Sequence, residues 1–112
     1  MKFNTTFDHH SGIHLDIDGA RIYHEVTGNK NSPALLVLHG GFGNIEDFNP
    51  ILPELDKEFR IVGIDSRGQG KSTLGPSGLT YERIQQDVER ILEHLHINTL
   101  RACYALSPRW MR

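Results

Sequence analysis

Three glycines follow a histidine in the stretch His39-Gly40-Gly41-Phe42-Gly43, directly after the apolar run Leu35 to Leu38. Four consecutive apolar residues without alternation predict a strand buried on both faces, as in a parallel sheet. Glycine allows close approach to the main chain and its N–H groups, so this turn could hold a negatively charged oxygen. A tight strand-to-helix connection would also favour glycine. A dinucleotide-binding loop fits badly, because its third glycine would fall on Glu46.

A second polar loop, Asp65 to Ser72, follows the apolar residues Ile61 to Ile64. Its last three residues, Gly70-Lys71-Ser72, match the end of a phosphate-binding loop, whose opening glycine would stand at position 65. That position is aspartate, and a carboxylate there would repel a polyphosphate. Nucleotide binding through Gly70-Lys71-Ser72 is therefore the weaker alternative for this loop.

Together, the two loops resemble those of the α/β-hydrolase family. In that family a His-Gly loop follows the third strand and a D-x-R-G-x-G-x-S loop follows the fourth. The first pattern stands here as His39-Gly40-Gly41. The second is complete, with its defined positions at Asp65, Arg67, Gly68, Gly70 and Ser72. The resemblance extends over residues 12–98, because the order of strands, loops and the following helix also agrees.

The resemblance implies hydrolysis of small esters, amides or related bonds by a nucleophile, an acid and a histidine, in that chain order. It also implies an oxyanion hole in which the main-chain N–H of Gly41 donates, with Phe42 as the alternative donor. His39, Gly40 and Gly43 are then structural parts of the loop, and His39 is not the catalytic base. The second loop likewise shapes the fold and the rim of the site without supplying the nucleophile. We expect the Gly40–Gly43 loop to lie beside the Asp65–Ser72 loop, because loops that follow adjacent parallel strands meet at the same edge of the sheet.

Ser107 stands near the position where the resemblance places the nucleophile, but it is a weak candidate. Pro108 has no N–H to donate to the oxyanion hole, and Arg109 is bulky where a strained elbow needs a small residue. No acid followed by a histidine comes after Ser107 in the sequence. We therefore expect an N-terminal hydrolase fragment without a complete catalytic triad. A non-catalytic fragment or interaction module is the alternative.

Hydrophobic spacing predicts the elements that position these loops, and they correspond to an α/β fold. The sheet is expected to be mostly parallel, with a β-hairpin followed by β-α-β-α and a candidate fifth strand. The expected elements are a hairpin of residues 12–18 and 20–27 turning at Asp18-Gly19, the strand 35–38, short helical pieces in 44–55 interrupted by Pro50 and Pro53, the strand 59–64, a helix from Thr80 to about His96 with Asn98 as its left-handed terminator, and the strand 100–106.

Composition excludes several classes of function. Twelve basic and 14 acidic side chains give a charge near neutrality, so nothing indicates nucleic acid. The single cysteine, Cys103, excludes an internal disulfide and suits a reducing compartment. Without a membrane-spanning run or a signal peptide, we expect a cytoplasmic protein that contacts no membrane. No cofactor is expected, and adjacent His9 and His10 lack the further ligands of a metal site.

The composition changes near residue 100. All acidic residues lie at or before Glu93, whereas residues 101–112 hold three arginines and no carboxylate. We expect a loose polar lead-in over residues 1–11, a partial α/β-hydrolase domain over residues 12–100 and a truncated or frameshifted basic tail over residues 101–112. We also expect one face of the strand 35–38 to remain in water, because the family's later helices would cover it.

Overall fold

The computed structural model describes residues 6–41 and 43–105, and these form five strands, a short 3₁₀ helix and two α-helices. In chain order the elements are β1 (Ile13–Ile17), β2 (Ala20–Gly28), β3 (Ala34–Leu38), the 3₁₀ helix (Ile45–Phe48), α1 (Leu52–Leu55), β4 (Arg60–Ile64), α2 (Tyr81–His94) and β5 (Leu100–Ala105). No helix among the described residues is long and apolar enough to cross a membrane.

The strands form one sheet in the order β1-β2-β4-β3-β5. β2 pairs antiparallel with both β1 and β4, whereas β3 lies parallel between β4 and β5. All strands except β2 therefore point in the same direction. This confirms the predicted α/β class and the mostly parallel sheet that begins with a hairpin.

The hairpin turns at the predicted dipeptide. Asp18 and Gly19 have φ angles of 46° and 88°, and Ile17 pairs with Ala20 across the turn. A two-residue hairpin turn of type I′ requires positive φ at both central residues. The turn sets the register in which β2 passes from β1 to β4.

β3 is covered on both faces. Leu35, Leu36 and Val37 are 5%, 2% and 0% exposed. Leu35 and Val37 belong to one apolar cluster, and Leu36 belongs to a second cluster on the opposite face. The first cluster includes Phe7, Phe48 and Leu52, and the second includes Val62, Ile64 and Ile91. The expectation of a bare face on β3 was therefore wrong, because the N-terminal segment and the short helices cover one face and α2 covers the other.

The uncovered strand is β5. Leu100 is partly buried, but residues 101–105 are all exposed. β5 pairs with β3 and lies at one edge of the sheet. Exposed apolar surface is thus present, but one strand further out than the sequence suggested.

α2 begins as predicted and ends through a different residue. The Thr80 hydroxyl accepts a hydrogen bond from the N–H of Arg83 at 3.0 Å, which caps the first turn. At the other end His96, with φ 58°, takes the left-handed conformation. The N–H of Ile97 then donates to the carbonyl of Leu92 at 2.9 Å, closing the helix. Asn98 as terminator was wrong, because this closure needs the left-handed residue directly after the helix cap.

The segment after β3 forms short helical pieces, as predicted. The Asn44 side chain accepts from the N–H of Glu46 at 2.8 Å, and the Asp47 carboxylate accepts from the N–H of Asn44 at 3.2 Å. This capping starts the 3₁₀ helix directly after the glycine turn. Pro53 occupies the first turn of α1, where a missing N–H is tolerated.

Candidate active site

The two polar loops lie side by side. β3 and β4 are adjacent and parallel, and their last residues, Leu38 and Ile64, are paired in register. The loops that follow therefore start together at the carboxyl edge of the sheet, where open α/β sheets bind their ligands. The N–H of Ser66 donates to Nε2 of His39 at 2.8 Å, which joins the loops directly. The predicted juxtaposition is confirmed.

His39 holds the entry of the glycine loop. Its Nε2 accepts from Ser66, so the proton stands on Nδ1, which donates to the carbonyl of Gly40 at 2.6 Å. The residue is only 7% exposed. Both ring nitrogens are thus occupied by main-chain groups, which agrees with a structural histidine and not with a catalytic base.

The exit of the glycine loop is held by Asp65. The N–H of Ile45 donates to Oδ1 of this carboxylate at 2.9 Å. Within the loop, the N–H of Gly43 donates to the carbonyl of Gly40 at 3.1 Å, and a Cβ on Gly43 would lie 2.2 Å from Oδ2 of Asp47. The glycine loop is therefore clamped at both ends to the residues that follow β4.

Gly41 lies between these clamps. It is half-buried, and among the described residues no acceptor is paired with its N–H. A main-chain donor held in place on both sides and left unpaired is what an oxyanion hole requires.

Asp65 is the centre of the second loop. Its carboxylate is fully buried and accepts from the N–H of Ile45, from the N–H of Lys71 at 2.9 Å and from Nε2 of His9 at 2.8 Å. The Ser72 hydroxyl donates to the Asp65 carbonyl at 2.7 Å. Gly70 has φ 54°, and a Cβ there would stand 2.2 Å from the Asp65 carboxylate. The motif residues at 65, 70 and 72 thus support one another.

Arg67 anchors the same loop to the rest of the domain. Its fully buried guanidinium donates to Asp87 of α2 through two hydrogen bonds, at 2.8 and 3.0 Å, and to the carbonyl of Ile17 at 3.0 Å. The hydrogen bonds with Asp87 raise the pKa of Arg67 above its ordinary value. Helical spacing alone could not reveal Asp87 as the partner, because a carboxylate on an amphipathic helix is normally solvated.

The geometry does not favour a phosphate-binding loop at Gly70-Lys71-Ser72. The Lys71 ammonium donates to the carbonyl of His9 and lies 5.4 Å from the centroid of the Tyr23 ring. The N–H of Lys71 and the hydroxyl of Ser72 both bond to Asp65. The groups that would hold a phosphate are therefore turned towards a carboxylate and main-chain carbonyls.

The predicted nucleophile region follows β5. Ala105, the last described residue, is paired in register with Leu38, so the chain reaches the carboxyl edge beside the glycine loop. Ser107, Pro108 and Arg109 lie outside the described residues, as does Phe42. Their roles stay predictions.

Sequence reasoning missed a cluster of ionisable side chains at this edge. His9 contacts the carboxylates of both Asp65 and Glu46. Glu25, only 4% exposed, accepts from the N–H of His9 at 2.7 Å and from the hydroxyl of Tyr23 at 2.8 Å. Burial and the hydrogen bond to Glu25 raise the pKa of Tyr23 well above its ordinary value. The alternation in β2 placed Tyr23 and Glu25 on one face, but nothing local indicated that the N-terminal segment would cover them.

Across residues 6–41 and 43–105, no three His, Cys, Asp or Glu side chains are placed to hold a metal ion. The polar groups that the structure places at this edge include main-chain donors and the carboxylate–histidine contacts around Asp65.

Known proteins are similar to this chain in sequence. The sequence model of the α/β hydrolase fold matches residues 33–100. Proline iminopeptidase PfmaB of Pestalotiopsis fici is 32% identical over 78 residues, covering 67% of this chain and 27% of that protein. The sn-1-specific diacylglycerol lipase ABHD11 of Danio rerio is 35% identical over 77 residues, covering 67% of this chain and 24% of that lipase. The chain thus spans about a quarter of the length of these relatives.

A solved structure has a similar fold. The crystal structure of a hydrolase from Pseudomonas aeruginosa superposes with a TM-score of 0.81 at 26% identity, covering 89% of this chain and 38% of that one. The matched sequence segment contains both polar loops, β3, β4 and α2. The chain belongs to the α/β-hydrolase fold family.

Proposed function

We propose that this chain supplies the oxyanion-hole half of a serine hydrolase site that acts on small esters or amides. The observation that carries the proposal is the glycine loop, clamped by His39 at its entry and by Asp65 at its exit. It follows a strand that lies between β4 and β5, at the edge where a nucleophile strand would deliver its serine.

The chemistry needs a donor that is already in place when charge develops. A serine nucleophile attacking a carbonyl carbon moves negative charge to the carbonyl oxygen, and fixed N–H groups stabilise that oxyanion. The N–H of Gly41 is the proposed donor, with the N–H of Phe42 as the alternative. Two clamps reduce the reorganisation that the loop would otherwise undergo during the reaction.

We propose that Ser107 is not the nucleophile. The second donor of such a site is the N–H of the residue after the nucleophile, and here that residue is Pro108. Loss of one donor typically lowers the rate by about 100- to 1,000-fold. The purified chain should therefore hydrolyse p-nitrophenyl esters no faster than its Ser107→Ala variant. Clear turnover that this substitution abolishes would overturn the assignment.

The role of the glycine loop is tested in a chimera. Residues 6–105 replace the matching segment of the Pseudomonas aeruginosa hydrolase, and ester hydrolysis is measured. Gly41→Pro removes the N–H and is expected to lower kcat by about 100- to 1,000-fold with a smaller effect on KM, whereas Gly41→Ala keeps the N–H as the matched control. Equal activity of the two variants, each with a native melting profile, would overturn Gly41 as the donor. Phe42→Pro then tests the alternative.

A second candidate function is a non-catalytic interaction module. The observation that favours it is β5, an edge strand whose residues 101–105 are exposed. Strand edges with free N–H and carbonyl groups recruit other strands. Sedimentation velocity of the purified chain separates the two: concentration-dependent association that Ala102→Pro reduces would support the interaction module.

We further propose a small-molecule substrate and a cytoplasmic location.

A further inference from the structure

The segment before β1 is held across the carboxyl edge of the sheet by packing and hydrogen bonds. This differs from the loose lead-in that the sequence predicts. We call residues 7–12 the N-terminal strap. Phe7 is 1% exposed, and a Cβ on Gly63 would lie 2.6 Å from its ring. The Asn49 side chain accepts from the N–H of Phe7 at 2.8 Å and donates to its carbonyl at 3.0 Å. The strap therefore has a fixed position relative to β4 and the 3₁₀ helix.

His9 connects the strap to two carboxylates. Its Nε2 lies 2.8 Å from Oδ2 of Asp65, and its Nδ1 contacts the carboxylate of Glu46. The imidazole is 13% exposed, the Asp65 side chain is fully buried and that of Glu46 is half-exposed. The backbone of His9 has φ 57°, a conformation that a histidine adopts only at a cost in free energy. The side-chain contacts hold the residue there.

Only the protonated ring can satisfy both contacts. An imidazolium donates from both nitrogens, whereas a neutral imidazole has one N–H. With a neutral ring, one unprotonated nitrogen would face a carboxylate oxygen, acceptor against acceptor. Burial opposes the charge on His9, but the hydrogen bond to Glu46 and the attraction of Asp65 together raise the pKa of His9 above its ordinary value of 6.5.

Other charged and aromatic groups lie close to His9 or to its neighbours in the strap. Glu25 of β2 accepts the N–H of His9, and the Tyr23 ring lies 5.4 Å from the imidazole. Within the strap, the Asp8 carboxylate accepts the N–H groups of residues 10 and 11. The Lys71 ammonium, which donates to the His9 carbonyl, is the opposing positive group. The two carboxylates that contact the ring itself come from the 3₁₀ helix and the loop after β4, whereas Glu25 of β2 contacts the main chain of His9.

The contacts of His9 lead directly to the glycine loop. The Asp65 carboxylate that bonds to His9 also accepts the N–H of Ile45, the first residue of the 3₁₀ helix that follows this loop. Glu46 is the next residue along the chain. We propose that His9 is a proton-dependent positioning residue, which in its protonated form draws Asp65 and Glu46 together and holds the exit of the Gly40–Gly43 loop.

The sign of the pH dependence follows from the raised pKa. Protonated His9 stabilises the clamp fully below about pH 6.5, and this stabilisation is lost as the pH rises through the higher pKa of the folded state. Only the catalytic consequence depends on the proposed function: in an active hydrolase, the geometry of the oxyanion hole would loosen on the alkaline side.

An NMR titration of the full chain tests the coupling. The amide resonance of Ile45 is followed from pH 5 to pH 9 in the native chain, in His9→Gln and in His10→Gln, the adjacent exposed histidine. We expect the chemical shift of the Ile45 amide to change with pH, with a midpoint above pH 6.5, in the native chain and in His10→Gln. This pH-dependent change should disappear in His9→Gln. A titration of Ile45 that persists in His9→Gln would overturn the proposal.

A milder variant and the chimera give independent results. Glu46→Gln removes one carboxylate at a half-exposed position and should move the Ile45 midpoint to lower pH; an unchanged midpoint would contradict the proposal. In the chimera, His9→Gln should remove an alkaline inflection from the pH profile of kcat. If the chimera is inactive but its Ile45 amide shift still changes with pH in a way that depends on His9, only the proposed function is refuted. An active chimera without this coupling would refute the role of His9 alone.

Discussion

β3 and β5 are neighbouring parallel strands with opposite surroundings. Leu36 of β3 is paired with Cys103 of β5, yet Leu36 is 2% exposed and Cys103 is exposed. Helices pack on both faces of β3, whereas residues 101–105 of β5 are exposed. Pairing in a sheet therefore does not by itself bury a strand. The helices on its faces decide how much a side chain of the strand contributes to the free energy of unfolding.

Two arginines, one in the interior and one on β5, show the same contrast. Arg67, beside the end of β4, is 1% exposed and is surrounded by a carboxylate and two main-chain carbonyls. Arg101, on β5, is exposed. Substitutions in the interior should thus have large effects, and matched substitutions on β5 should have small ones.

The largest effect is expected for Arg67→Met. Removing the guanidinium leaves the buried Asp87 carboxylate with Arg83 alone, and breaking a buried ion pair typically costs about 3–5 kcal/mol. Arg101→Met should change the free energy of unfolding by less than about 0.5 kcal/mol. Chemical denaturation of both variants measures the difference. Equal effects would mean that the contrast between the regions has no energetic counterpart.

A register-matched pair gives the next largest difference. Leu36→Ala opens a cavity in the second apolar cluster and should destabilise the chain by about 2–5 kcal/mol. Cys103→Ala, directly opposite on β5, should stay within about 0.5 kcal/mol. Urea denaturation midpoints of the two variants provide the comparison. A large loss in Cys103→Ala would show that β5 is covered in solution.

Acid should destabilise the interior through His24. This residue is 2% exposed, and its Nδ1 has no hydrogen-bond partner among the described residues. Burial, with smaller contributions from His94 and His14, lowers the pKa of His24 from 6.5 to about 4. Neutral His24 therefore makes its full contribution to the free energy of unfolding above about pH 6.5. This free energy falls by up to about 3 kcal/mol as the pH drops to 4, because the histidine of the unfolded chain takes up a proton at a higher pH than that of the folded chain.

Thermal unfolding between pH 4 and 7 measures this loss. His24→Leu should lose less stability than the native chain over the same range, whereas the exposed His10→Gln should follow the native curve. Parallel pH curves for the native chain and His24→Leu would show that other groups cause the acid sensitivity.

The smallest effect separates packing from backbone strain. Gly70 and Gly78 both have positive φ, 54° and 70°, but a Cβ on Gly70 would meet the Asp65 carboxylate, whereas one on Gly78 would meet nothing within 4 Å. Gly78→Ala should cost about 1 kcal/mol for the left-handed conformation alone, and Gly70→Ala about 2 kcal/mol or more. Equal costs in thermal denaturation would remove the steric role of Asp65.

Most of the fold could be predicted because its signals are local. The apolar run of β3, the Asp18-Gly19 turn and the Thr80 cap each depend on residues within a few positions of one another. The juxtaposition of the two polar loops also followed, since parallel neighbouring strands end at the same edge. Asp87 and His9 could not be predicted in this way, because their partners lie 20 and 56 residues away.

The sequence by itself determined the family, the order of the strands along the chain and the two loops that face each other, since spacing and glycine positions constrain the local backbone. Only the tertiary structure decided which strand is bare and where the strap lies. Covering β3 depends on Phe7 and Ile91, which are far apart in the chain and meet β3 from opposite faces. The charge on His9 likewise depends on carboxylates from separate elements, because burial and electrostatic attraction arise only when these elements are packed together.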